Sequence, residues 1–478
     1  MTTSSIRLLH QLMFDVPPEE YSDALAEVRR DMGGHVIAGG TTAEAVKAAA
    51  LIAENYVDMD SYLADLNLKD SARFGSRALT DGQLGEEMTR SYEWLQTFGN
   101  ARLCERTKHK REAVLRSNLL KLARGADDGT HSTRWGNDYA SGLRDAMQKG
   151  AILVTTNPVL IGLAAAEAPE VWTPVRDEIR AAHPKAKPEE IAALLTIKVV
   201  VGNARLLRPI WEISGRHLGY VSLQLSPKDA FDADVMIQGA TQIYEGLCEE
   251  MGGVPNTVFK VPGTKAGIEV AAELTRRGIG VNVTVSFSLP QQIAFAGAIE
   301  SCSTAPLSFR TQMDGRVDDP IGEELEAEGV ADWEEVKTWA TTAIRQREYR
   351  LLSMLPQDGG LGLARSFSLG ASGRGPWNIL RSICNGPRTM FITVFPNRQV
   401  EFDAEPRELR PEALWDEVPA DRLAKLQKSR LFRQAFEPDG MTPEEFGTYL
   451  PVQRTLKQFA EGYDNFVAWC AGQRDKAA

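Results

Sequence analysis

A lysine in the middle of a strongly apolar run is the residue whose position most clearly indicates chemistry. Lys260 lies within residues 257–264, between Phe259 and Val261. One interpretation is an edge strand with an exposed lysine, because lysine is rarely fully buried. The other is that Lys260 points into an enclosed site. There, loss of hydration lowers the pKa of the ammonium and leaves a neutral amine that can attack a carbonyl carbon.

Two further segments carry groups suited to a sugar or a phosphate. Residues 154–158 end in Thr155-Thr156-Asn157-Pro158, which is either ordinary turn and helix-cap chemistry or a set of hydroxyl and amide groups for a polyhydroxylated substrate. Residues 368–375 interleave glycines with Ser372 and Arg374. This segment is either a flexible turn or a loop whose backbone approaches an anion while a guanidinium pairs with it.

The elements that must position these groups begin at residue 132, where short apolar strands start to alternate with helical stretches. This alternation is typical of a parallel sheet. The eight strand candidates are residues 132–138, 151–157, 219–225, 257–261, 280–287, 307–313, 364–370 and 390–395. Eight such units fit the size of a (β/α)8 TIM barrel, whose catalytic groups lie at the carboxyl ends of the strands. An open, doubly wound sheet is the alternative.

The segments on either side of this region read as helical. We therefore predict an N-terminal helical extension over residues 1–130, the barrel over residues 131–400 and a C-terminal helical segment over residues 401–478. Residues 414–432 and 443–470 are the helix candidates of that last segment. The pair Gly39-Gly40 fits a helix boundary better than a phosphate-binding turn, because no glycine-rich phosphate motif follows it.

Composition excludes several classes of function. The 478 residues are 43% hydrophobic and 25% charged, which is typical of a globular protein, and the net charge of −11 offers no long-range attraction for nucleic acid or an anionic membrane. The sequence has no apolar run long enough to span a bilayer and no signal-like start, so we expect a cytoplasmic protein. The five cysteines and six histidines show no metal-ligand or disulfide spacing, so no metal site is expected.

Three segments of the predicted barrel together resemble the transaldolase family. Its motifs T-T-N-P, K-I-P-A-T and N-x-T-x-x-F-S are similar to residues 155–158, 260–264 and 282–288, in the same order and with approximately the same spacing between residues 132 and 396. The resemblance does not extend to the first 125 residues, to the C-terminal segment or to residues 318–360.

The resemblance implies roles for individual residues. Lys260 corresponds to the lysine that forms a Schiff base with a ketose, and Asp138 to the aspartate that takes the proton of the C4 hydroxyl. Without the resemblance, Asp138 would be interpreted as a helix N-cap. Thr284 corresponds to a threonine that positions a catalytic water. The residues implied to hold the substrate hydroxyls are Thr155, Asn157, Asn282 and Thr311. The implied phosphate clamp consists of Arg316, Ser372 and Arg374.

The sequence departs from the family pattern at two positions. The family usually has glutamate on strand three, where this chain has Gln224, which can orient a water but cannot accept its proton. Relatives resembling fructose 6-phosphate aldolase also have glutamine there, which favours a simple aldolase. Met313 lacks the hydroxyl of the tyrosine found in that aldolase branch, which favours transaldolase.

The resemblance thus implies Schiff-base transfer of a dihydroxyacetone unit between sugar phosphates, as in the pentose phosphate pathway. It implies no metal or organic cofactor, because the imine itself accepts the electrons. The alternatives are an aldolase that releases the free ketone and a sugar-phosphate-binding protein that lost turnover with Gln224. The expected partners are small-molecule sugar phosphates, and the oligomeric state is open, with a homo-oligomer as one option.

Overall fold

The computed structural model of the chain describes residues 101–472 continuously and residues 23, 26, 86, 89, 90, 93 and 96 singly. The predicted turn at Gly39-Gly40 and most of the predicted N-terminal extension lie outside the described residues.

Eight parallel strands form a closed barrel in which each strand pairs with its sequence neighbours and β8 pairs with β1. This confirms the (β/α)8 barrel, and the open-sheet alternative is wrong. The strands are β1 Thr133–Asn137, β2 Leu153–Thr155, β3 Tyr220–Gln224, β4 Thr257–Pro262, β5 Val281–Thr284, β6 Phe309–Met313, β7 Phe367–Ala371 and β8 Met390–Val394.

Helices cover the outside of the barrel and continue past its last strand. In chain order they are α1 Ala101–Arg116, α2 Asn118–Asp127, α3 Leu143–Gln148, α4 Pro158–Glu167, α5 Pro169–Ala182, α6 Pro188–Ile213, α7 Ala233–Met251, α8 Lys265–Arg276, α9 Leu289–Cys302, α10 Asp314–Ala327, α11 Trp333–Lys337, α12 Ala340–Leu352, α13 Pro376–Leu380, α14 Pro396–Asp403, α15 Ala420–Leu426, α16 Arg430–Phe436 and α17 Leu450–Cys470. None of the helices within residues 101–472 is long and apolar enough to cross a membrane.

Side chains along each strand alternate between the barrel interior and the helical layer. Phe391 makes edge-to-face contacts with Phe309 and Phe367, whose ring centroids lie 5.0 and 5.7 Å away, and these rings fill the amino-terminal end of the barrel. On the outward face of β6, Arg310 forms a fully buried ion pair with Glu348 of α12. The apolar and aromatic residues thus close one end of the barrel and leave its other end to polar groups.

The two helical segments that flank the barrel both pack against it. Asn118 at the start of α2 donates hydrogen bonds to the carbonyl oxygens of Phe402 and Glu405, at 2.7 and 2.8 Å. At the other end of the chain, α17 packs against α4 and α6. The predicted division into extension, barrel and C-terminal segment stays a prediction, and α2 packs as part of the barrel.

The C-terminal helices are more interrupted than the sequence pattern predicted. Residues 414–432, predicted as one helix, form a short 3-10 turn, α15 and the start of α16, because Pro419 cannot continue a helix from the preceding residues and instead caps α15. The last predicted helix, residues 443–470, is α17 preceded by a 3-10 turn at Phe446–Thr448.

Candidate active site

A cavity of about 230 Å³ opens at the carboxyl ends of the strands, and ten of the eleven site residues expected from the sequence line it. This placement follows from the barrel, because the parallel strands bring their carboxyl ends to one face. The ten residues are Asp138, Thr155, Asn157, Lys260, Asn282, Thr284, Thr311, Arg316, Ser372 and Arg374.

Lys260 is buried in the interior of the barrel, with only 8% of its surface exposed. The interpretation of an exposed lysine on an edge strand is therefore wrong, since β4 pairs with β3 on one side and β5 on the other. Burial lowers the pKa of the Lys260 ammonium to about 8; the negative charge of Asp138 opposes this shift and the positive charge of Arg316 adds to it. A substantial fraction of neutral amine is thus present slightly above neutral pH.

Asp138 follows β1 directly and lies against the end of β2. The Thr155 hydroxyl donates a hydrogen bond to one oxygen of the Asp138 carboxylate, and the Asp138 amide donates to the Val394 carbonyl oxygen at 3.2 Å. The helix-cap interpretation is wrong, because the residue at the N-cap of α3 is Gly142. Asp138 is held at both its backbone and its side chain, facing the same cavity as Lys260.

A chain of hydrogen bonds crosses the barrel interior beside Lys260. The Thr311 hydroxyl donates to the Asn282 side-chain oxygen at 2.6 Å, and the Asn282 amide donates to the Ser222 hydroxyl at 2.9 Å. All three side chains are buried. These bonds fix the Asn282 amide in one orientation, with its oxygen toward β6 and its nitrogen toward β3.

Thr284 ends β5 at a conformationally constrained point of the chain. Its hydroxyl lies 3.5 Å from the Met313 sulfur, and the next residue, Val285, has a φ of 51°. A β-branched residue is strongly disfavoured in this left-handed region, and such strain is concentrated at functional sites.

Asn157 combines both roles that the sequence left open. Its side-chain oxygen accepts a hydrogen bond from the Leu160 amide at 2.9 Å, which caps the start of α4, and the residue also lines the cavity.

Two arginines face the cavity, Arg316 from the first turn of α10 directly after β6 and Arg374 from the loop after β7. Burial lowers the pKa of the Arg316 guanidinium, and the positive charge of Arg374 lowers it further. Arg374 forms a salt bridge with Asp319 at 2.9 Å while 43% of its side chain stays exposed. Gly315 permits this arrangement, because a Cβ there would collide with the Arg374 guanidinium. Two like charges close together in one cavity repel each other, and a bound anion would relieve that repulsion.

Gln224 is the one expected site residue that does not line this cavity. It lies beside Lys260 in the register of β3 and β4, but it lines a second cavity of about 140 Å³ together with Tyr463 and Phe466. Its side-chain oxygen is buried without a hydrogen-bond partner.

Several residues that line the main cavity were not expected from the sequence. Phe395, Asn397 and Arg398 follow β8, and their position after a strand end is a signal that could have identified them. Phe459 belongs to α17, far along the chain, and its sequence context gives no such signal. Within residues 101–472, no group of three or more histidine, cysteine, aspartate or glutamate side chains is arranged to hold a metal ion.

Comparisons with known proteins point to one family. The family model described as "Transaldolase/Fructose-6-phosphate aldolase" matches residues 142–358, which include most of the stretch 318–360, where the sequence motifs show no resemblance. A transaldolase of Helicobacter pylori is 30% identical over 305 residues, which cover 61% of this chain and 91% of that protein. Transaldolase 2 of a Nostoc species is 28% identical over 198 residues, 38% of this chain and 50% of that protein. Transaldolase 1 of Streptomyces avermitilis is 28% identical over 211 residues, 42% of this chain and 54% of that protein.

Proposed function

The chain belongs to the transaldolase/fructose-6-phosphate aldolase family, and on that premise we propose that it transfers a dihydroxyacetone unit between sugar phosphates through a Schiff base on Lys260. The observation that carries the proposal is the burial of Lys260 in one cavity with Asp138 and two arginines. This combination supplies a nucleophile, a proton acceptor and an anion-binding pair within a single site.

The first step is attack of the neutral Lys260 amine on the ketose carbonyl, followed by loss of water to give the imine. The Asp138 carboxylate then accepts the proton of the C4 hydroxyl as the C3–C4 bond breaks, and the bonding electrons move into the imine to form an enamine. The aldose leaves as an aldehyde. The enamine attacks an acceptor aldehyde, Asp138 returns its proton to the new hydroxyl, and water releases the product from Lys260. The hydrogen bond from Thr155 holds the Asp138 carboxylate in one orientation for these transfers.

Arg316, Arg374 and Ser372 would bind the substrate phosphate in the same cavity. Guanidinium groups pair with two phosphate oxygens at once, which fixes both the position and the orientation of the anion. Asn157, Asn282 and Thr311 would bind the hydroxyl groups of the dihydroxyacetone unit.

A second candidate is an aldolase that releases free dihydroxyacetone, and it is favoured by Gln224, which stands on β3 where the family usually has glutamate. Among the cavity-lining residues within 101–472, Asp138 is the one carboxylate, so the cavity offers no second carboxylate as an acid or base for the imine steps. Product analysis separates the two functions. A transaldolase forms a new ketose phosphate when an aldose phosphate is supplied, whereas an aldolase releases dihydroxyacetone without an acceptor.

The central test is reduction with borohydride in the presence of fructose 6-phosphate, followed by peptide mass analysis. We expect the added carbon on Lys260 alone, and we expect Lys260→Ala to abolish trapping. Lys265→Ala is the matched control, because Lys265 starts α8 five residues away and its side chain is 59% exposed in a salt bridge with Glu444. An adduct on another lysine, or unchanged trapping in Lys260→Ala, would overturn the proposal.

A further inference from the structure

We infer that Asn378, held in place by Asp314 and Arg345, is a positioning residue that fixes the phosphate-binding loop between β7 and α13. The inference rests on the proposed function, because it concerns the loop that carries Ser372 and Arg374. Asn378, Asp314 and Arg345 have no role in the proposed reaction. Arg345 belongs to α12, which lies between β6 and β7 in the chain.

Asn378 connects the loop to the barrel through both ends of its side-chain amide. Its oxygen accepts hydrogen bonds from the backbone amides of Arg374 at 2.8 Å and Gly375 at 3.2 Å. Its nitrogen donates to a carboxylate oxygen of Asp314 at 3.0 Å. Only 6% of Asn378 is exposed, so these bonds face little competition from water. The chain on either side of the Arg374 side chain is therefore held by one residue.

Asp314 is anchored in turn by a buried ion pair. The Arg345 guanidinium contacts the second oxygen of the Asp314 carboxylate, and both side chains are 3% exposed. Arg345 also donates to the Ser382 hydroxyl at 2.6 Å and lies against Gly370 of β7, where a Cβ would come within 2.7 Å of the guanidinium. Asp314 immediately precedes Gly315 and Arg316. The same carboxylate therefore links the segment that carries one clamp arginine to the loop that carries the other.

A third contact joins these two segments directly. The Gly315 amide donates to the Ser372 carbonyl oxygen at 3.1 Å, and Ser372 has a φ of 59°, in the left-handed region that a serine rarely adopts. A backbone conformation of this kind persists only where its surroundings over-determine it. The hydrogen bonds of Gly315 and Asn378 provide that restraint on both sides of the clamp.

The chemistry of the site requires an amide at position 378. One end must accept from two N–H groups and the other must donate to a carboxylate, and no aliphatic or ionised acidic side chain does both. A carboxylate at position 378 would still accept from the loop, but its second oxygen would face Asp314 and repel it. In the double variant Asp314→Asn with Asn378→Asp, the amide and the carboxylate exchange places. The contact between positions 314 and 378 then again has one N–H donor and one carboxylate.

A purely structural alternative is that Asn378 only caps the short helix α13. Asn256 offers a matched comparison, because it is fully buried at the other end of the barrel and its amide donates to the carbonyl oxygens of Ala204 and Gly219. If Asn378 acts only on stability, Asn378→Ala and Asn256→Ala should affect ligand binding alike.

The test measures the affinity of the full chain for inorganic phosphate by titration calorimetry, together with thermal unfolding. Asn378→Ala should weaken phosphate binding about tenfold, because two hydrogen bonds that order the loop are lost. Asn256→Ala should lower the unfolding temperature and leave the phosphate affinity unchanged. Asn378→Asp should also weaken binding, and adding Asp314→Asn to it should restore most of the affinity.

Unchanged phosphate affinity in Asn378→Ala, an equal loss in Asn256→Ala, or a double exchange no better than Asn378→Asp would each overturn the inference. If Asn378→Ala does not fold, the exchange of residues 314 and 378 still decides the question. Borohydride trapping on Lys260 tests the proposed function separately. Failure of trapping in the natural chain rejects that function, whereas the phosphate affinities of the variants bear on Asn378 alone.

Discussion

At the scale of single residues, Lys260 lies between charges of opposite sign. Desolvation sets the main shift of its pKa, Asp138 stabilises the ammonium, and Arg316 destabilises it. The two charged neighbours therefore shift the pKa of the Lys260 amine in opposite directions, beside the roles in proton transfer and phosphate binding that we propose for them.

We expect the rate of imine formation to rise with pH through a midpoint of about 8, because only the neutral amine attacks a carbonyl. Arg316→Gln removes a positive charge, so the Lys260 pKa should increase and the midpoint should move to higher pH. Asp138→Asn removes a negative charge and should move it to lower pH. The measurement is single-turnover trapping with dihydroxyacetone, which has no phosphate and does not depend on the clamp. Shifts in the same direction for both variants would contradict this electrostatic account.

The two clamp arginines should differ in their contributions. A hydrogen bond to a charged group is worth roughly 1.5–3 kcal/mol, so loss of either should raise the KM for a phosphorylated ketose about tenfold to a hundredfold. Arg374→Ala should give the smaller loss, because Arg374 is partly exposed and already paired with Asp319. Asp319→Asn releases Arg374 and should lower the KM. Steady-state kinetics with phosphorylated and unphosphorylated ketoses check this, and equal losses for both substrates in Arg374→Ala would argue against a clamp.

At the scale of elements, the C-terminal helix α17 completes the site that the barrel begins. Gln458 accepts a hydrogen bond from the Arg316 guanidinium, and the Phe459 ring lies 4.9 Å from it. The helix therefore holds Arg316 with one polar and one aromatic contact.

Replacing the aromatic ring of Phe459 should weaken substrate binding, and it should lower the free energy of unfolding no more than the same replacement at Phe466 does. A cation–π contact is worth about 0.5–2 kcal/mol, so Phe459→Leu should raise the KM for a phosphorylated ketose by a few-fold up to about thirtyfold. Phe466→Leu is the matched control, since Phe466 lies on the same helix with the same 3% exposure but lines the second cavity. Kinetics and urea unfolding of both variants make the comparison. Equal KM changes would show that α17 acts only by general packing.

Most of the strands were predictable from the sequence because a short apolar run is followed by a turn, although β1 and β6 carry several polar residues. The seventh candidate begins three residues too early, since the chain bends at Arg365 and Ser366 and Phe367 is the first residue to pair with β6. The contribution of α17 was not predictable, because which face of a distant helix covers the barrel depends on packing and not on local pattern. The placement of Gln224 in a second cavity is likewise a consequence of how α6, α7 and α17 pack around the end of β3.

At the scale of the whole molecule, α2 acts as part of the barrel although it precedes the first strand. Leu119 and Leu122 are fully buried. The carboxylate of Asp403 accepts hydrogen bonds from the Ser117 hydroxyl and from the backbone amide of Asn118. The chain segment that the barrel needs therefore begins before β1.

A chain that starts at residue 101 should keep the unfolding midpoint and Lys260 trapping of the full chain, because it retains the contacts that α2 makes with the barrel. A chain that starts at residue 128 should lose about 3–6 kcal/mol from the two leucines alone. That loss is a large part of the roughly 5–15 kcal/mol that stabilises a typical protein, so this chain should fold poorly. Urea unfolding of both truncated chains checks the expectation. A chain from residue 128 as stable as the full chain would contradict the packing role of α2.

The pairing of β1 with β8 also sets the order of events on the ribosome. Thr133 finds its partner, Met390, only after nearly the whole barrel has been synthesised, and Phe459 emerges later still. Contacts of such long sequence separation form slowly, and the unpaired edges of β1 and of each newly made strand stay available for aggregation in the meantime. A nascent chain stalled before α17 would carry Lys260 and Asp138 but would lack one wall around the substrate. We therefore expect the nascent chain to gain the proposed phosphate selectivity only once α17 has been synthesised and has packed against the barrel.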